Sequence, residues 1–258
     1  MKYHLIMKAL AGFLLLAFLT VGCNKEDDPP EEAQGLSFNP EEVLATVPDG
    51  LKNSNDSYAQ ECYGFIEEAV DMSLFIDNME VPEDAERSSK KSALAADTWQ
   101  WTWHYAGESY TFYWTYEERS SKRYWTMEIQ YGSGPRYDYI SAWETMDGTQ
   151  GEVTYNFEWA AIAYGGSVED YEFAYWTYSW RKDSSGAYHL NFTWDGDNTE
   201  YDYLAQYDVV INADGSGTID YYYWGSLFYH MEWDIVGNGS WALYNDGVVI
   251  TSDTWVAG

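Results

Sequence analysis

The sequence predicts a mainly β fold, an up-and-down antiparallel meander of about twelve strands preceded by one amphipathic helix. Three observations support this prediction. Large apolar and polar residues alternate with period two over most of the chain after Thr98. Turn sequences rich in Gly, Asp and Asn separate the alternating runs at short intervals. All 14 tryptophans and 22 of the 25 tyrosines lie at or beyond Trp99, and aromatic residues favour strands.

The first 22 residues have the features of an export signal. Lys2 and Lys8 precede an apolar run from Ala9 to Leu19, which is too short to span a bilayer. Small residues follow, and then Cys23. The sequence LTVGC that ends at this cysteine resembles the lipobox of bacterial lipoproteins, in which the cysteine is acylated and becomes the mature N-terminus. The resemblance implies lipidation at Cys23 and a membrane partner.

The sequence NKEDD, which follows Cys23, is similar to the tag of Bacteroidetes-type lipoproteins exported to the cell surface. The resemblance implies an outer-membrane location, with the anchored chain facing the extracellular side. Residues 23–35 are acidic and contain two prolines, so we expect an extended tether there. No family is identified for the β-rich remainder.

The charge of the chain excludes one class of partner. The formal net charge is −30, and removal of residues 1–22 would take away two lysines and no acid, leaving about −32. From Asp183 to Gly258 there is no Lys or Arg. Nucleic-acid binding needs a basic surface, so it is not expected here.

Residues 36–97 are predicted to form a helical segment and a linker. Between Asp56 and Met79 apolar residues recur in steps of four and three, which places them on one face of a helix. They are Tyr58, Cys62, Phe65, Ala69, Met72, Ile76 and Met79. Ser57 and Gln60 form a candidate capping box. We expect the stripe to pack on the β body, which would make Cys62 a buried, unreactive thiol.

Residues 98–258 form the aromatic-rich β domain, and they contain an internal similarity. YWTY at 113–116 recurs at 175–178, YDY at 137–139 recurs at 201–203, and Asp147-Gly148 recurs as Asp214-Gly215. The offsets of 62, 64 and 67 predict a duplicated four-strand unit, over about residues 110–164 and 171–224.

Short hairpins favour sequential pairing of the strands. The resulting sheet can be arranged in two ways. We expect a closed or nearly closed barrel with the helix as a plug or cap, because one helix is too small to cover twelve strands. A curved open sheet is the alternative. A membrane-embedded version is disfavoured by acidic residues at mid-strand positions that would face lipid. They include Asp138, Glu144, Glu152, Glu158, Asp202, Asp208 and Asp220.

Motifs for metal, cofactor or nucleophilic chemistry are weak. His189 and His230 alternate out of phase with the large aromatics of their strands, so both should face solvent. The sequence has no GxSxG elbow and no glycine-rich phosphate loop. The acids of DGDNTEYD are spaced in a way that is faintly similar to a calcium loop, but a polar hairpin turn explains them better. The weak calcium candidates are Asp195, Asp197, Glu200 and Asp202.

Paired carboxylates could hydrolyse glycosides, but 43 acidic residues will place some pair at a suitable distance by chance. The pairs Glu117-Glu118 and Glu169-Asp170 adjoin hairpins and are explained more simply as solvated residues. We therefore do not expect an enzyme, and no cofactor is implied.

The strongest functional signal is the set of aromatic residues that lie out of phase with the expected core face. Exposed rings favour a binding surface, and flat rings suit the faces of sugars. These residues are Tyr113, Tyr171, Phe173, Tyr175, Tyr221 and Tyr223. The leading hypothesis is a surface lipoprotein that binds an extracellular glycan without catalysis. A structural or assembly protein of the envelope is the first alternative, and a glycoside hydrolase is the second.

Overall fold

A computed structural model describes residues 35–71, 85–88, 98–104, 110–156, 175–198 and 201–257. The predicted export signal, Cys23 and the tether up to residue 34 lie outside the described residues. So do Tyr171 and Phe173 of the predicted binding surface, and Glu200 of the calcium candidates.

Three helices precede the sheet in the described residues: α1 (Pro40–Thr46), α2 (Asp49–Lys52) and α3 (Ser57–Asp71). Asn39 caps α1 by accepting a hydrogen bond from the Glu42 amide (3.2 Å), and Pro40 stands at the first helical position, where a missing N–H costs nothing. The sequence predicted only the third helix, because α1 and α2 are too short to show a helical period.

Helix α3 buries Cys62 and Ala69 of the predicted stripe and half-buries Tyr58 and Phe65. The remaining stripe residues, Met72, Ile76 and Met79, lie outside the described residues. The predicted capping box at Ser57 is wrong. Asp56 caps the helix instead, because its Oδ1 accepts hydrogen bonds from the amides of Tyr58 (2.9 Å) and Ala59 (3.4 Å). No described helix is long and apolar enough to cross a membrane.

The strands form a single antiparallel sheet in which every strand pairs with its neighbours in sequence. The strands are β1 (Glu86–Ser88), β2 (Thr98–His104), β3 (Tyr110–Arg119), β4 (Lys122–Tyr131), β5 (Arg136–Thr145), β6 (Gln150–Asn156), β7 (Tyr175–Lys182), β8 (Tyr188–Asn198), β9 (Tyr201–Ile211), β10 (Gly217–Tyr223), β11 (Ser226–Trp233), β12 (Gly239–Asn245) and β13 (Val248–Trp255). The predicted meander of about twelve strands is confirmed, with the three-residue β1 as an additional member.

The sheet does not close, so the expected barrel is wrong and the alternative of an open sheet is correct. Strands β1 and β13 are its two edges. The argument for closure assumed that one helix had to cover all the strands. In the structure, burial is shared between α3 and the chain that precedes it, because the core contains residues of both, such as Val43, Leu51 and Ile66.

The two faces of the sheet differ in character. The covered face, on which the helices pack, carries the core side chains, including Trp114, Trp125, Tyr178 and Met231. Helix α3 contacts this face through ring pairs such as Phe65 with Tyr207, whose centroids are 5.7 Å apart. The opposite face, which we call the open face, has no helix packed on it in the described part of the chain.

The hairpin turns define two ends of the sheet. The proximal end consists of the turns at 120–121, 146–149, 183–187, 212–216 and 234–238, and the distal end includes those at 132–135, 224–225 and 246–247. The chain from 36 to 52 runs along the proximal end. Ser37 lies against Gly148, Glu42 binds Lys182, Thr46 lies against Gly215, and Leu51 lies against Gly237. The N-terminal segment therefore contacts four successive hairpins at the proximal end.

A buried ion pair fixes the start of this segment. Glu144 is fully buried, and its carboxylate accepts hydrogen bonds from the Ser37 amide (2.8 Å), the Ser37 hydroxyl (3.0 Å) and Arg123 Nη1 (3.0 Å). Burial raises the pKa of the Glu144 carboxyl, although these hydrogen bonds act in the opposite direction. Glu144 was expected at a solvated mid-strand position, and it instead attaches the N-terminal segment to the sheet.

A tryptophan-on-glycine contact recurs along the proximal end. The rings of Trp180, Trp233 and Trp255 lie directly over glycines of the neighbouring strand, and each indole N–H donates to a turn carbonyl. The ring and glycine pairs are Trp180 with Gly151, Trp233 with Gly217, and Trp255 with Gly239. Only glycine leaves room for the ring, so each tryptophan packs directly on the backbone of the neighbouring strand.

The segments that matched in the sequence lie four strands apart. The two YWTY copies occupy β3 and β7, the two YDY copies occupy β5 and β9, and the two Asp-Gly pairs occupy the turns after β5 and β9. This placement is what a four-strand duplication requires. The tryptophan-on-glycine contact recurs at shorter intervals, since it is found at both β10–β11 and β12–β13.

Candidate functional site

The structure divides the predicted aromatic surface between the two faces. Tyr113 on β3 and Tyr175 on β7 lie on the open face, as expected. Tyr221 and Tyr223 on β10 lie on the covered face instead, because Tyr221 is opposite Tyr207 on one side and Tyr229 on the other. These rings therefore do not form one platform.

The error in phase has a local cause. Ile219, which is buried, has the same parity as Tyr221 and Tyr223, so all three lie on the covered face. A β-bulge between Tyr221 and Tyr222 then shifts the pairing with β11, leaving Phe228 as the extra residue. The sequence interpretation assigned Tyr221 and Tyr223 to the phase opposite the core, although their shared parity with the apolar Ile219 was a usable signal.

Tyr113 is not a free platform on the open face. The guanidinium of Arg136 lies 3.4 Å from the centroid of its ring, and its hydroxyl donates to Gln130 Oε1 (2.6 Å). A ligand that stacked on this face of the ring would have to displace the cation. Tyr175 lies four strands away, roughly 19 Å at the usual strand spacing. The open-face pair therefore gives little support for one compact binding site.

The open face is polar across its width. Hydroxyl side chains form one register row from β3 to β8, which ends at Gln206 on β9. The row consists of Thr115, Thr126, Ser141, Thr154, Thr177 and Thr193. Such residues are compatible with a solvated face.

Carboxylates on the open face are engaged by neighbouring side chains. Asp208 accepts hydrogen bonds from the amides of Asn191 and Gln206, and Asp220 lies 2.6 Å from Nδ1 of His230. His189 contacts Asp183 (2.9 Å) in the same manner. Among the described residues, no group of three His, Cys, Asp or Glu side chains is placed to hold a metal ion.

The three described calcium candidates lie on two adjacent strands. Asp195 and Asp197 belong to β8, Asp202 belongs to β9, and Asp197 pairs with Asp202 across the strands. Asp195, Asp197 and Asp202 thus lie on paired strands, whereas an EF-hand-like loop presents its ligands from one long irregular segment.

A continuous run of aromatic rings reaches the distal end of the covered face. We call it the aromatic strip. Its members in spatial order are Tyr207, Tyr221, Phe228, Tyr223 and Trp224, with successive centroids 4.5, 5.9, 6.3 and 6.0 Å apart. Tyr207 packs on Phe65 of α3, so the strip begins in the core. Burial raises the pKa of the Tyr221 hydroxyl, which therefore stays protonated at neutral pH.

The outer end of the strip is exposed. Trp224 retains 56% of its accessible surface and Phe228 retains 43%. Neither residue was among the predicted site residues, because sequence parity does not show which strand ends extend beyond the helix. Rings of this size are ordinarily buried, and their exposure next to a packed base marks a surface that can bind a ligand.

Trp224 also adopts an unfavourable backbone conformation. Trp224 and Gly225 form the two-residue turn between β10 and β11, and both have positive φ, at 54° and 69°. That is the signature of a type I′ turn, which favours Asn or Asp at its first position. The corresponding turn at Asp246-Gly247 has the usual sequence. The indole therefore occupies a position that the fold would fill better with Asn, which is typical of a functional residue.

Comparison of the chain with protein-family models, with curated proteins and with solved structures found no match. The functional inference therefore rests on the geometry of the aromatic strip and on the predicted export signal.

Proposed function

We propose that this chain is a surface-exposed outer-membrane lipoprotein that binds glycan without catalysis, through the aromatic strip. The observation that carries the proposal is the exposure of Trp224 and Phe228 on a packed aromatic base, with Trp224 held at positive φ. Apolar faces of pyranose rings stack on flat aromatic side chains, and a fixed ring loses little entropy on binding.

The position of the strip suits a ligand outside the cell. The first described residues, at 35–37, dock at the proximal end, where Ser37 binds Glu144. The strip lies at the distal end of β10, roughly 20–25 Å away along the strand direction for a strand of this length. If Cys23 carries lipid, the tether emerges from the end of the sheet opposite the exposed rings.

Binding would be tested by titrating the purified full chain against a panel of soluble polysaccharides, with calorimetry as the measurement. We expect at least one glycan to bind, and Trp224→Ala and Phe228→Ala each to weaken it by about tenfold, as loss of a ring contact predicts. Tyr131→Ala is the matched control, because Tyr131 is 53% exposed at the distal end of β4 and outside the strip.

Several outcomes would count against the proposal. If no polysaccharide binds, or if Trp224→Ala binds as well as the wild type, the strip is not a glycan site. Release of reducing sugar from the panel, lost in Asp208→Ala or Asp220→Ala, would favour the hydrolase alternative.

The proposed lipid anchor and surface location have a separate test. Metabolic labelling with a palmitate analogue should mark the wild-type chain and not Cys23→Ala, and protease added to intact cells should degrade the wild-type chain. Labelling that persists in Cys23→Ala would contradict the assignment of the lipid anchor.

A further inference from the structure

The last strand of the sheet presents an unprotected edge. Strand β13 pairs with β12 only, and seven of its eight residues are exposed. Four of the ten exposed large hydrophobic side chains in the described residues lie on or just after it: Val248, Val249, Ile250 and Val256. Exposed edges ordinarily carry Lys or Pro, or are very short, to prevent pairing with another chain. The opposite edge strand, β1, is protected because it is very short, with only three residues.

Strand β13 is rigid despite its exposure. The indole of Trp255 donates to the Gly237 carbonyl (2.7 Å), and the Ala257 amide donates to Asn238 Oδ1 (2.9 Å), so the end of the strand is fixed to the neighbouring turn. One bulge at Ile250 interrupts the register, and Thr251–Trp255 pairs without a break. A preformed edge of five residues needs no ordering when it receives a partner strand.

The charge around the edge indicates the chemistry of the partner. The sequence from residue 183 to the end contains no Lys or Arg, so strands β8–β13 contribute acids and no cations except histidine. Asp253 lies in the regular part of β13 and Asp246 in the turn before it. A second copy of this chain would bring the same acids and a net charge of −30, which opposes pairing. A basic strand would be attracted.

We infer that β13 is a docking edge for an extended, cationic and β-prone segment of a partner protein, which adds a strand to the sheet. Main-chain hydrogen bonds to Thr251–Trp255 supply the pairing, and Lys or Arg side chains of the partner face Asp253. The inference is independent of the aromatic strip, and it gives the chain a role in assembly in addition to the proposed glycan binding.

The experiment uses a fluorescent nine-residue peptide, Lys-Val-Thr-Val-Lys-Val-Thr-Val-Lys, and the full chain. One control peptide has Glu in place of each Lys, and another is N-methylated at alternate residues so that one edge cannot form hydrogen bonds. Anisotropy measures binding, and amide hydrogen exchange locates it. We expect the lysine peptide to bind and to slow exchange at 251–255, and both control peptides to bind about tenfold more weakly or worse.

Asp253→Lys should weaken binding of the lysine peptide by about tenfold, because it places like charges together. Asp138→Lys is the matched control, since Asp138 is an exposed residue of β5, eight strands away, and the substitution makes the same charge change. Binding that tolerates N-methylation, protection away from β13, or an equal loss in both variants would overturn the inference. So would a sedimentation dimer whose formation protects β13, since that would make a second copy the occupant. None of these results depends on glycan binding.

Discussion

At the scale of single residues, the first position of the β10–β11 turn shows most clearly a conflict between stability and function. A side chain other than Gly, Asn or Asp at positive φ costs roughly 1 kcal/mol, and Trp224 adopts this conformation while it retains 56% of its accessible surface. The sequence predicted Tyr221 and Tyr223 as binding residues, and the structure keeps them in the strip on the other face.

Trp224→Asn should therefore change stability and binding in opposite directions. Asn-Gly is the preferred sequence for a type I′ turn, so the free energy of unfolding should rise by about 0.5–1 kcal/mol. Glycan affinity should fall, because the exposed ring is lost. Chemical denaturation measures the first effect and calorimetry the second. A destabilised variant would show that Trp224 is retained for the fold.

The buried ion pair at the proximal end gives a second residue-scale prediction. Glu144→Ala should destabilise the fold by about 3 kcal/mol, because Arg123 remains 11% exposed with no carboxylate partner. Replacing both partners, with Glu144→Leu and Arg123→Met, should cost clearly less, because no charge is then left buried. Urea unfolding of the three proteins checks this. An equal loss in the single and double variants would mean that packing, not charge, holds Ser37.

At the scale of elements, the hairpins of the proximal end depend on glycine as much as on tryptophan. A Cβ at Gly239 would lie 2.1 Å from Cζ2 of Trp255 and 2.3 Å from the backbone oxygen of Glu232. The ring could move, but the backbone oxygen belongs to the paired strand and cannot move without breaking the ladder.

Gly239→Ala should therefore destabilise the protein by about 2–3 kcal/mol through overpacking. Gly64→Ala is the contrasting change, since nothing lies within 4 Å of a Cβ there and the residue is inside α3. Helix propensity should make that variant more stable by about 0.5–1 kcal/mol. Thermal unfolding followed by circular dichroism compares the two, and a similar effect in both would contradict the packing argument.

The proximal turns share hydrogen-bonded aspartates, whose contribution to stability depends on pH. Asp147, Asp183, Asp214 and Asp234 each accept a hydrogen bond from the amide two residues later. In Asp147, hydrogen bonds from the side chains of Thr145 and Thr149 and from the Thr149 amide lower the pKa to about 2. The ionised carboxylate is therefore stabilised in the folded chain.

A lowered pKa contributes stability that is present above the unfolded value near 4 and is lost as the pH falls towards the folded value. The wild type should lose stability relative to Asp147→Asn between about pH 4 and pH 2, and the difference should be constant above pH 5. Urea midpoints of the two proteins across this range test the prediction. A difference that grows towards neutral pH would show that another group is responsible.

At the scale of the whole molecule, charge works against the fold. The net charge of −30 means that the acidic side chains repel one another. The distance over which this repulsion acts falls from about 30 Å at 0.01 M salt to about 8 Å at 0.15 M. Sodium chloride should therefore raise the midpoint of thermal unfolding over this range. Calcium chloride at equal ionic strength separates screening from binding, since a larger rise would reveal a specific cation site. A midpoint that falls with salt would contradict the repulsion argument.

The alternating residues and the local turns of the sequence were enough to determine the meander, its sequential pairing and helix α3. Each of these features depends on residues close in the chain, so a local pattern is sufficient to encode it. The polar alternation of the open face was likewise readable, because period two is independent of what packs on the sheet.

Only the tertiary structure decided that the sheet stays open, that Glu144 is buried, and that Trp224 and Phe228 extend the ring contacts of Tyr221 and Tyr223 to an exposed end. The burial of Glu144 depends on its contact with Ser37, 107 residues away, which no local pattern records. The place of Phe228 in the strip depends on a single bulge in the pairing of β10 with β11, because a shift of one residue moves a side chain to the other face of the sheet.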